Sequence, residues 1–275
     1  MNAITTYLLP EFIVASHTGQ IHSVFSHAVN IIFGETMVTI ISNSDAGIPD
    51  CIVLASEDFT RLSQLDYGKH VRLEQKRIIF SDPNLSLNLD CSNCGNTFSG
   101  NCRLASPQEL ECRLRFVQRE FIPEHRLPDL TEAILPKLIT GILREKHNQC
   151  EKKLCLLIGL GSGLTPSSDD ALLGIMAVMA FYTVAKIRLM PEFPALINRL
   201  SAGRTTDVSR KYLGCAAQGR FARPLLLCVN SLLAEHAAPE STDFDLLLNT
   251  GHTSGRDMLR GILLAATAFL DLPCN

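Results

Sequence analysis

The spacing of apolar residues changes near Ser106, and this change constrains the fold more than any other feature of the sequence. Between residues 21 and 89, short runs rich in β-branched residues alternate with turn residues, which is typical of strands in an antiparallel sheet or a small barrel. The runs are Val29–Phe33, Met37–Ile41, Cys51–Leu54, Val71–Leu73 and Arg77–Phe80. After Ser106, apolar residues recur at helical spacing instead.

A helical region begins at Ser106. This serine is followed by Pro107 and then by Glu109, which together predict a helix start with a capping hydroxyl. Further helices are predicted over Asp129–His147, Asp170–Leu189, Phe193–Ser201, Thr206–Gln218, Pro224–His236 and Asp257–Leu270. The sequence therefore predicts an α+β fold, with a β-rich domain over residues 1–105 and an α-helical domain over residues 106–275.

Composition and charge exclude several classes of protein. The chain has 275 residues, of which 46% are apolar, enough for one or two cores and too many for a disordered chain. Its net charge is −3, it has no Trp and only 6% aromatic residues, so we expect no nucleic-acid partner. The longest apolar stretch, residues 171–185, is shorter than the roughly 20 residues that span a bilayer, so it predicts a buried helix. Residues 1–15 have no basic segment, so we expect no signal peptide and a cytoplasmic protein.

Ten cysteines in a cytoplasmic chain are expected to be reduced thiols. Four of them lie close together, at Cys91, Cys94, Cys102 and Cys112. The first two have the C-x-x-C spacing of a zinc site, but the other two do not form a second such pair. A zinc site and a set of unliganded thiols both fit this pattern, and we predict no cofactor.

The strongest motif is a glycine-rich loop before a helix. Three glycines lie within five residues, at Gly159, Gly161 and Gly163. Thr165 and Pro166 predict a helix start with the threonine as its cap. Glycines let backbone amides approach a ligand and a helix start offers unpaired N–H donors, so this loop can bind a phosphate or a carboxylate. It is neither a P-loop nor a dinucleotide fingerprint, because no Gly-Lys-[Ser/Thr] follows and Leu164 stands where the third glycine belongs.

Two aspartates, Asp169 and Asp170, follow this loop. Negative charge is favourable at a helix start, which is a purely structural reason for both aspartates. For Asp169 this structural role and a functional role are equally supported. For Asp170 an internal repeat favours function. Residues 170–175 and 257–262 share the pattern D-x-L-x-G-I, and both follow a Gly-x-Thr loop. We expect these two helix starts to converge on one pocket.

Two other polar residues are candidates for the site. His252 lies in the second loop and is the only one of the eight histidines inside a motif. It can act as a general base or donate to an anion, or it can cap the helix start or be exposed to water. Gln218 can hydrogen-bond a substrate amide or close the end of its helix.

Three motifs together resemble the AllH family. They are Gly161–Asp170 (GSGLTPSSDD), Ala216–Gly219 (AAQG) with Pro224–Leu226, and Gly251–Gly255 (GHTSG) with Asp257. Their order and spacing match over about residues 150 to 270, whereas the first half resembles the family only weakly.

This resemblance implies a subunit of oxamate carbamoyltransferase in anaerobic allantoin breakdown. The family works beside an FdrA-type subunit and a second companion subunit. The implied reaction converts carbamoyl phosphate and oxamate to oxalurate and phosphate, and it runs toward carbamoyl phosphate in catabolism. The resemblance does not say which subunit performs the chemistry.

The chemistry suggests residue roles. The amide nitrogen of oxamate is a poor nucleophile, so its attack requires proton removal, for which His252 and Asp170 are the candidate bases. The tetrahedral oxyanion needs N–H donors, which a glycine-rich helix start supplies. The candidates for substrate binding are Gly161, Ser162, Gly163, Leu164, Thr165, Ser167, Asp169, Gln218, Gly251, Thr253, Ser254, Gly255 and Asp257.

Two other functions fit the same residues. Asp169, Asp170 and Asp257 can place carboxylates around Mg²⁺ in a metal-dependent hydrolase. The mean hydropathy of +0.15, with few charged residues, also fits a non-catalytic scaffold or regulatory subunit with a buried partner surface.

Overall fold

The computed structural model describes residues 1, 3, 5–8, 10–42, 47–82, 84–89, 96–98, 102–187, 189–270 and 272. It contains two compact units, Met1–Asn96 and Thr97–Asn275. The first unit is built around a sheet and the second is helical, which confirms the predicted α+β class. Cys91 and Cys94 of the cysteine cluster lie outside the described residues, while Cys102 is half-buried and Cys112 is exposed.

The first unit is a mixed sheet with two short helices, α1 (Pro10–Val14) and α2 (Ser56–Leu62). Its described strands are β1 (Thr5–Thr6), β2 (His17–Val24), β3 (Ala28–Phe33), β4 (Thr36–Ile41), β5 (Cys51–Val53), β6 (His70–Glu74), β7 (Arg77–Phe80) and β8 (Ser86–Asn88). They lie in the order β1-β5-β4-β3-β2-β6-β7-β8. The sheet is mixed because β5 runs parallel to β4, whereas the other described pairings are antiparallel.

Tight turns set the register of this sheet. Gln75 and Lys76 join β6 to β7 with φ angles of 49° and 63°, the backbone of a two-residue turn that matches the twist of a hairpin. Gly34 has a φ of 61° between β3 and β4. Apolar side chains such as Ile31 and Ile40 are fully buried and form the core of this unit.

The second unit consists of helices. The described ones are α3 (Pro107–Phe121), α4 (Asp129–Leu143), α5 (His147–Leu157), α6 (Ser167–Val184), α7 (Phe193–Ser201), α8 (Asp207–Ala217), α9 (Arg223–Leu233), α10 (Ser241–Leu248) and α11 (Ser254–Ala268). Helix α6 is at the centre, since fourteen of its eighteen residues are buried. A helix that is apolar on all sides is stable only inside a core, and the prediction of a buried helix is confirmed.

Local signals for helix ends were only partly visible in the sequence. The predicted cap of α3 is confirmed, because Ser106 Oγ accepts a hydrogen bond of 3.3 Å from Glu109 N–H. The prediction of a single helix over Asp129–His147 is correct at its start and wrong at its end. Helix α4 ends at Leu143, and Glu145 takes a φ of 49° before α5 begins. No glycine or proline marks this break in the sequence. No described helix is both long enough and apolar enough to cross a membrane.

Candidate functional site

Helices α6 and α11 cross with their backbones in contact, and two glycines make this possible. A Cβ atom on Gly174 would lie 2.1 Å from the carbonyl oxygen of Met258. A Cβ atom on Gly261 would likewise lie 2.1 Å from the carbonyl oxygen of Ala171. The two glycines occupy the same place in the D-x-L-x-G-I repeat, and each admits the backbone of the other helix. The internal repeat is therefore the sequence signature of this helix crossing.

The crossing brings the starts of both helices together. Thr165 Oγ1 precedes α6 and lies 2.9 Å from Ser254 Oγ, the first residue of α11. The prediction that Thr165 caps α6 is wrong, because the capping position is Pro166 and no side chain caps this helix. The threonine hydroxyl is used across the crossing instead. Both hydroxyls are placed to lower the pKa of the Asp170 carboxyl.

Asp170 is a buried carboxyl that can exchange a proton near neutral pH. Its side chain is buried, and Oδ2 has no hydrogen-bond partner among the described residues. Burial raises the pKa of Asp170 to about 7, and the charges of Asp257 and Asp169 add to this rise, although the bonds from Ser254 and Thr165 oppose it. A group with such a pKa is suited to general acid–base chemistry.

Asp257 is the second buried carboxyl of this site, and a histidine holds it. Its Oδ1 lies 2.8 Å from His125 Nε2. Its Oδ2, like that of Asp170, has no partner in the part of the chain that the structure describes. We refer to Asp170, Asp257, Thr165, Ser254 and His125 as the Asp170 centre. The sequence analysis missed His125, which belongs to no motif and lies 132 residues from its partner.

The loop that carries His125 joins α3 to α4 and is fixed by Glu132. One carboxylate oxygen of Glu132 accepts from Leu127 N–H at 3.1 Å, and Arg260 of α11 donates to both oxygens at 3.0 and 3.2 Å. Burial acts to raise the pKa of Glu132, but the bonds from Arg260 and Leu127 outweigh it and hold this pKa below its ordinary value. At the other end of the loop, Gln118 Nε2 donates to the carbonyl oxygen of Ile122 at 2.8 Å.

Asp169 anchors the glycine-rich loop. Its Oδ1 accepts from Gly159 N–H at 2.8 Å, and its Oδ2 accepts from the hydroxyls of Thr205 and Ser209, the latter at 2.7 Å. Gly159 has a φ of 82° and lies so close to Arg204 that a Cβ atom would be 2.0 Å from its carbonyl oxygen. Thr205 and Ser209 belong to none of the sequence motifs, so their part in this site was not predicted.

Hydrogen bonds already engage several of the oxygens with which the three aspartates would bind a metal. Both oxygens of Asp169 already accept hydrogen bonds, and one oxygen of Asp257 faces His125. Among the described residues, no group of three or more His, Cys, Asp or Glu side chains is placed to hold a metal ion.

The two predicted loops are exposed next to the buried centre. In the first, Gly161, Ser162, Gly163 and Leu164 are exposed, while Thr165 and Ser167 are half-buried. In the second, Gly251, His252 and Thr253 are exposed, Ser254 is half-buried and Gly255 is buried. Each helix start thus combines an accessible loop with an aspartate in the core.

His252 is not joined to the Asp170 centre by a hydrogen bond. Its carbonyl oxygen accepts from Arg256 Nη1 at 3.3 Å. Its ring makes no hydrogen bond to any residue that the structure describes. Its accessible ring is free to meet a ligand or another protein.

Gln218 lines a cavity that is separate from the Asp170 centre. It lines a mostly apolar pocket of about 620 Å³ together with Met176, Met179 and other residues. Its Oε1 accepts a hydrogen bond of 2.9 Å from Arg220. None of the residues of the Asp170 centre lines this pocket. The structure therefore does not bring Gln218 together with the two aspartates.

Two family models match the chain. Residues 157–266 match the family described as oxamate carbamoyltransferase subunit AllH. Residues 2–96 match the AllH family N-terminal domain. The first match contains all of α6, α11 up to residue 266, and both Asp170 and Asp257, but not His125. No solved structure matches the chain.

Proposed function

Because the chain belongs to the AllH family, we propose that it contributes the Asp170 centre to an oxamate carbamoyltransferase in anaerobic allantoin breakdown. The reaction converts carbamoyl phosphate and oxamate to oxalurate and phosphate, and in catabolism it runs in the opposite direction. In catabolism, phosphate attacks the carbamoyl carbon of oxalurate, the bond from this carbon to the oxamate nitrogen breaks, and the nitrogen takes up a proton.

A single observation supports a direct part in this chemistry. Asp170 is a buried carboxyl with a pKa of about 7. In oxamate carbamoylation it accepts the proton that the amide nitrogen loses on attack, and in the catabolic direction the protonated form returns it. A neutral carboxyl and an ionised one are both abundant near pH 7, so one group serves both directions.

The exposed loop at residues 161–165 supplies the anion site in this proposal. Its glycines leave the backbone accessible, and the start of α6 adds a favourable dipole. The charge of Asp169 is balanced by three donors, and Asp170 is neutral in the protonated form that acts in the catabolic direction, so neither aspartate prevents phosphate from approaching in that direction. His252, exposed on the second loop, completes the site from the side that a substrate or companion subunit approaches.

Companion subunits are part of the proposal. An FdrA-type subunit and a second companion supply the remaining surface around carbamoyl phosphate, and the complex works in the cytoplasm. The exposed side chain of Leu164, with 48% of its surface accessible beside the anion loop, is suited to a contact with one of them.

The test is phosphate-dependent breakdown of oxalurate, measured with this chain alone, with both companions, and with each protein omitted in turn. We expect activity only when this chain is present. D170N in the assembled complex should lower kcat by about 100-fold or more, since it removes a general acid–base group. D245N, on an exposed aspartate of α10, is the matched control and should keep full activity.

Two outcomes contradict the proposal in different ways. A complex that is shown to assemble but breaks down no oxalurate refutes the oxamate reaction. A complex in which this chain is required but D170N is as active as the wild type refutes the catalytic role and leaves a scaffold function.

A further inference from the structure

We propose that His125 is a positioning residue of the Asp170 centre, which holds the Asp257 carboxyl in place so that its charge acts on Asp170. Its catalytic consequence rests on the function proposed above, whereas its effect on the two carboxyls does not. His125 lies outside the matched segment 157–266, so the family motif does not point to it.

His125 is in direct contact with Asp257. His125 Nε2 lies 2.8 Å from Asp257 Oδ1, and the two side chains are only 17% and 3% exposed. With its proton on Nε2, the imidazole donates to the carboxyl group. Such a bond fixes the orientation of a carboxyl that is otherwise cut off from water.

Asp257 depends on this bond for its position. Asp257 Oδ2 is buried and has no partner among the described residues, so the contact with His125 is the one that holds this side chain. Without it, the carboxyl would no longer be held beside Asp170, and the negative charge that acts on Asp170 from α11 would be weaker.

Other charged groups surround the two aspartates. Asp169 on the same helix as Asp170 is held by Gly159, Thr205 and Ser209. Beyond the His125 loop, Glu132 and Arg260 form an ion pair, and Arg126 acts on Glu132. These groups are unchanged by a substitution at His125, so the effect of the Asp257 charge on Asp170 is the quantity that responds.

The loop geometry shows that His125 is held in place. Glu132 binds Leu127 N–H two residues after the histidine, and Arg260, three residues after Asp257 on α11, binds Glu132. The same helix thus carries the carboxylate that His125 contacts and the arginine that fixes its loop.

The experiment is a pH titration of the carboxyl ¹³C signal of Asp170 in the folded full-length chain, without substrate or companions. In H125L the midpoint of Asp170 should fall below the wild-type value, since the charge of Asp257 is no longer held beside it. H125Q is the matched control. Its amide Nε2–H can replace the imidazole donor, so the midpoint of Asp170 should stay near the wild-type value.

The proposal fails if H125L titrates like the wild type, or if H125Q and H125L shift alike. D257N provides an independent measurement that leaves His125 in place. It removes the charge directly, so the midpoint of Asp170 must fall in this variant too, and an unchanged midpoint overturns the coupling.

An activity measurement then separates this proposal from the proposed function. In the assembled complex, H125L should move the pH profile of kcat for oxalurate breakdown while KM changes by less than about twofold, and H125Q should restore the profile. If the wild-type complex is inactive on oxalurate, the proposed function fails, and the carboxyl titration still decides the role of His125.

Discussion

Replacing Asp170 by asparagine should stabilise the helical unit, and increasingly so as the pH rises. The folded protein holds this carboxyl where burial raises its pKa to about 7, against an ordinary value of 3.8. Between these two pH values the folded chain keeps a proton that the unfolded chain has released. The free energy of unfolding of the wild type therefore falls as pH rises through this window.

The size of the effect follows from the pKa difference. About three units at about 1.36 kcal/mol each amount to roughly 4 kcal/mol, absent below pH 3.8 and fully present above about pH 7. Asparagine has nearly the same shape and does not ionise, so D170N escapes this cost. The advantage of D170N over the wild type should grow by roughly 2–3 kcal/mol between about pH 5 and about pH 8.

The assay is urea denaturation followed by circular dichroism at about 222 nm, at several pH values across that range. The change with pH is the test, because any hydrogen bond that asparagine gains or loses adds a constant offset. D245N, on an exposed aspartate, should differ from the wild type by the same small amount at every pH. An advantage of D170N that stays constant across the range would refute the reasoning that burial raises the pKa of Asp170.

Three further predictions follow from particular contacts. G261A should lower the free energy of unfolding by about 1–3 kcal/mol, because its Cβ would lie 2.1 Å from the carbonyl oxygen of Ala171. G214A is the control, since its Cβ meets only the Asn198 side chain at 3.3 Å, and it should have little effect in thermal denaturation. Equal melting temperatures for the two variants would contradict the close crossing. E132Q should weaken the hydrogen bonds that fix the His125 loop, and amide hydrogen exchange at Leu127 should become faster. The stability that this variant loses relative to the wild type should vanish as the pH falls through the lowered pKa of Glu132. Unchanged exchange at Leu127 would contradict the role of Glu132 in this loop. Iodoacetamide should modify exposed Cys112 in the native chain and spare Cys228, whose thiol is buried and whose pKa burial raises, and mass spectrometry that finds equal labelling would contradict this burial.

Much of the architecture follows from local sequence patterns. Runs of β-branched residues and turn residues predict the strands of the first unit, and the helical spacing after Ser106 predicts most helices of the second. These patterns work because strand and helix periodicity is local, and because an apolar stretch such as residues 171–185 is stable only when it is buried. The repeat D-x-L-x-G-I also indicates that the starts of α6 and α11 belong together.

The roles of individual residues depended on contacts between distant parts of the chain. The repeat singles out Asp170 but says nothing of what either aspartate contacts, whereas packing gives Asp169 three donors and leaves one oxygen of Asp170 unpartnered among the described residues. Gln218 belongs to a third motif of the same family pattern and yet lines a cavity that the residues of the Asp170 centre do not line.

His125 shows this limit most clearly. Nothing in its sequence neighbourhood distinguishes it from the other histidines, and its partner lies 132 residues away. A protonation state is set by burial and by neighbouring charges, and both quantities exist only after the helices have packed. The sequence by itself therefore determined the elements and the two helix starts, whereas the tertiary structure decided which buried carboxyl has a raised pKa and which histidine contacts the other.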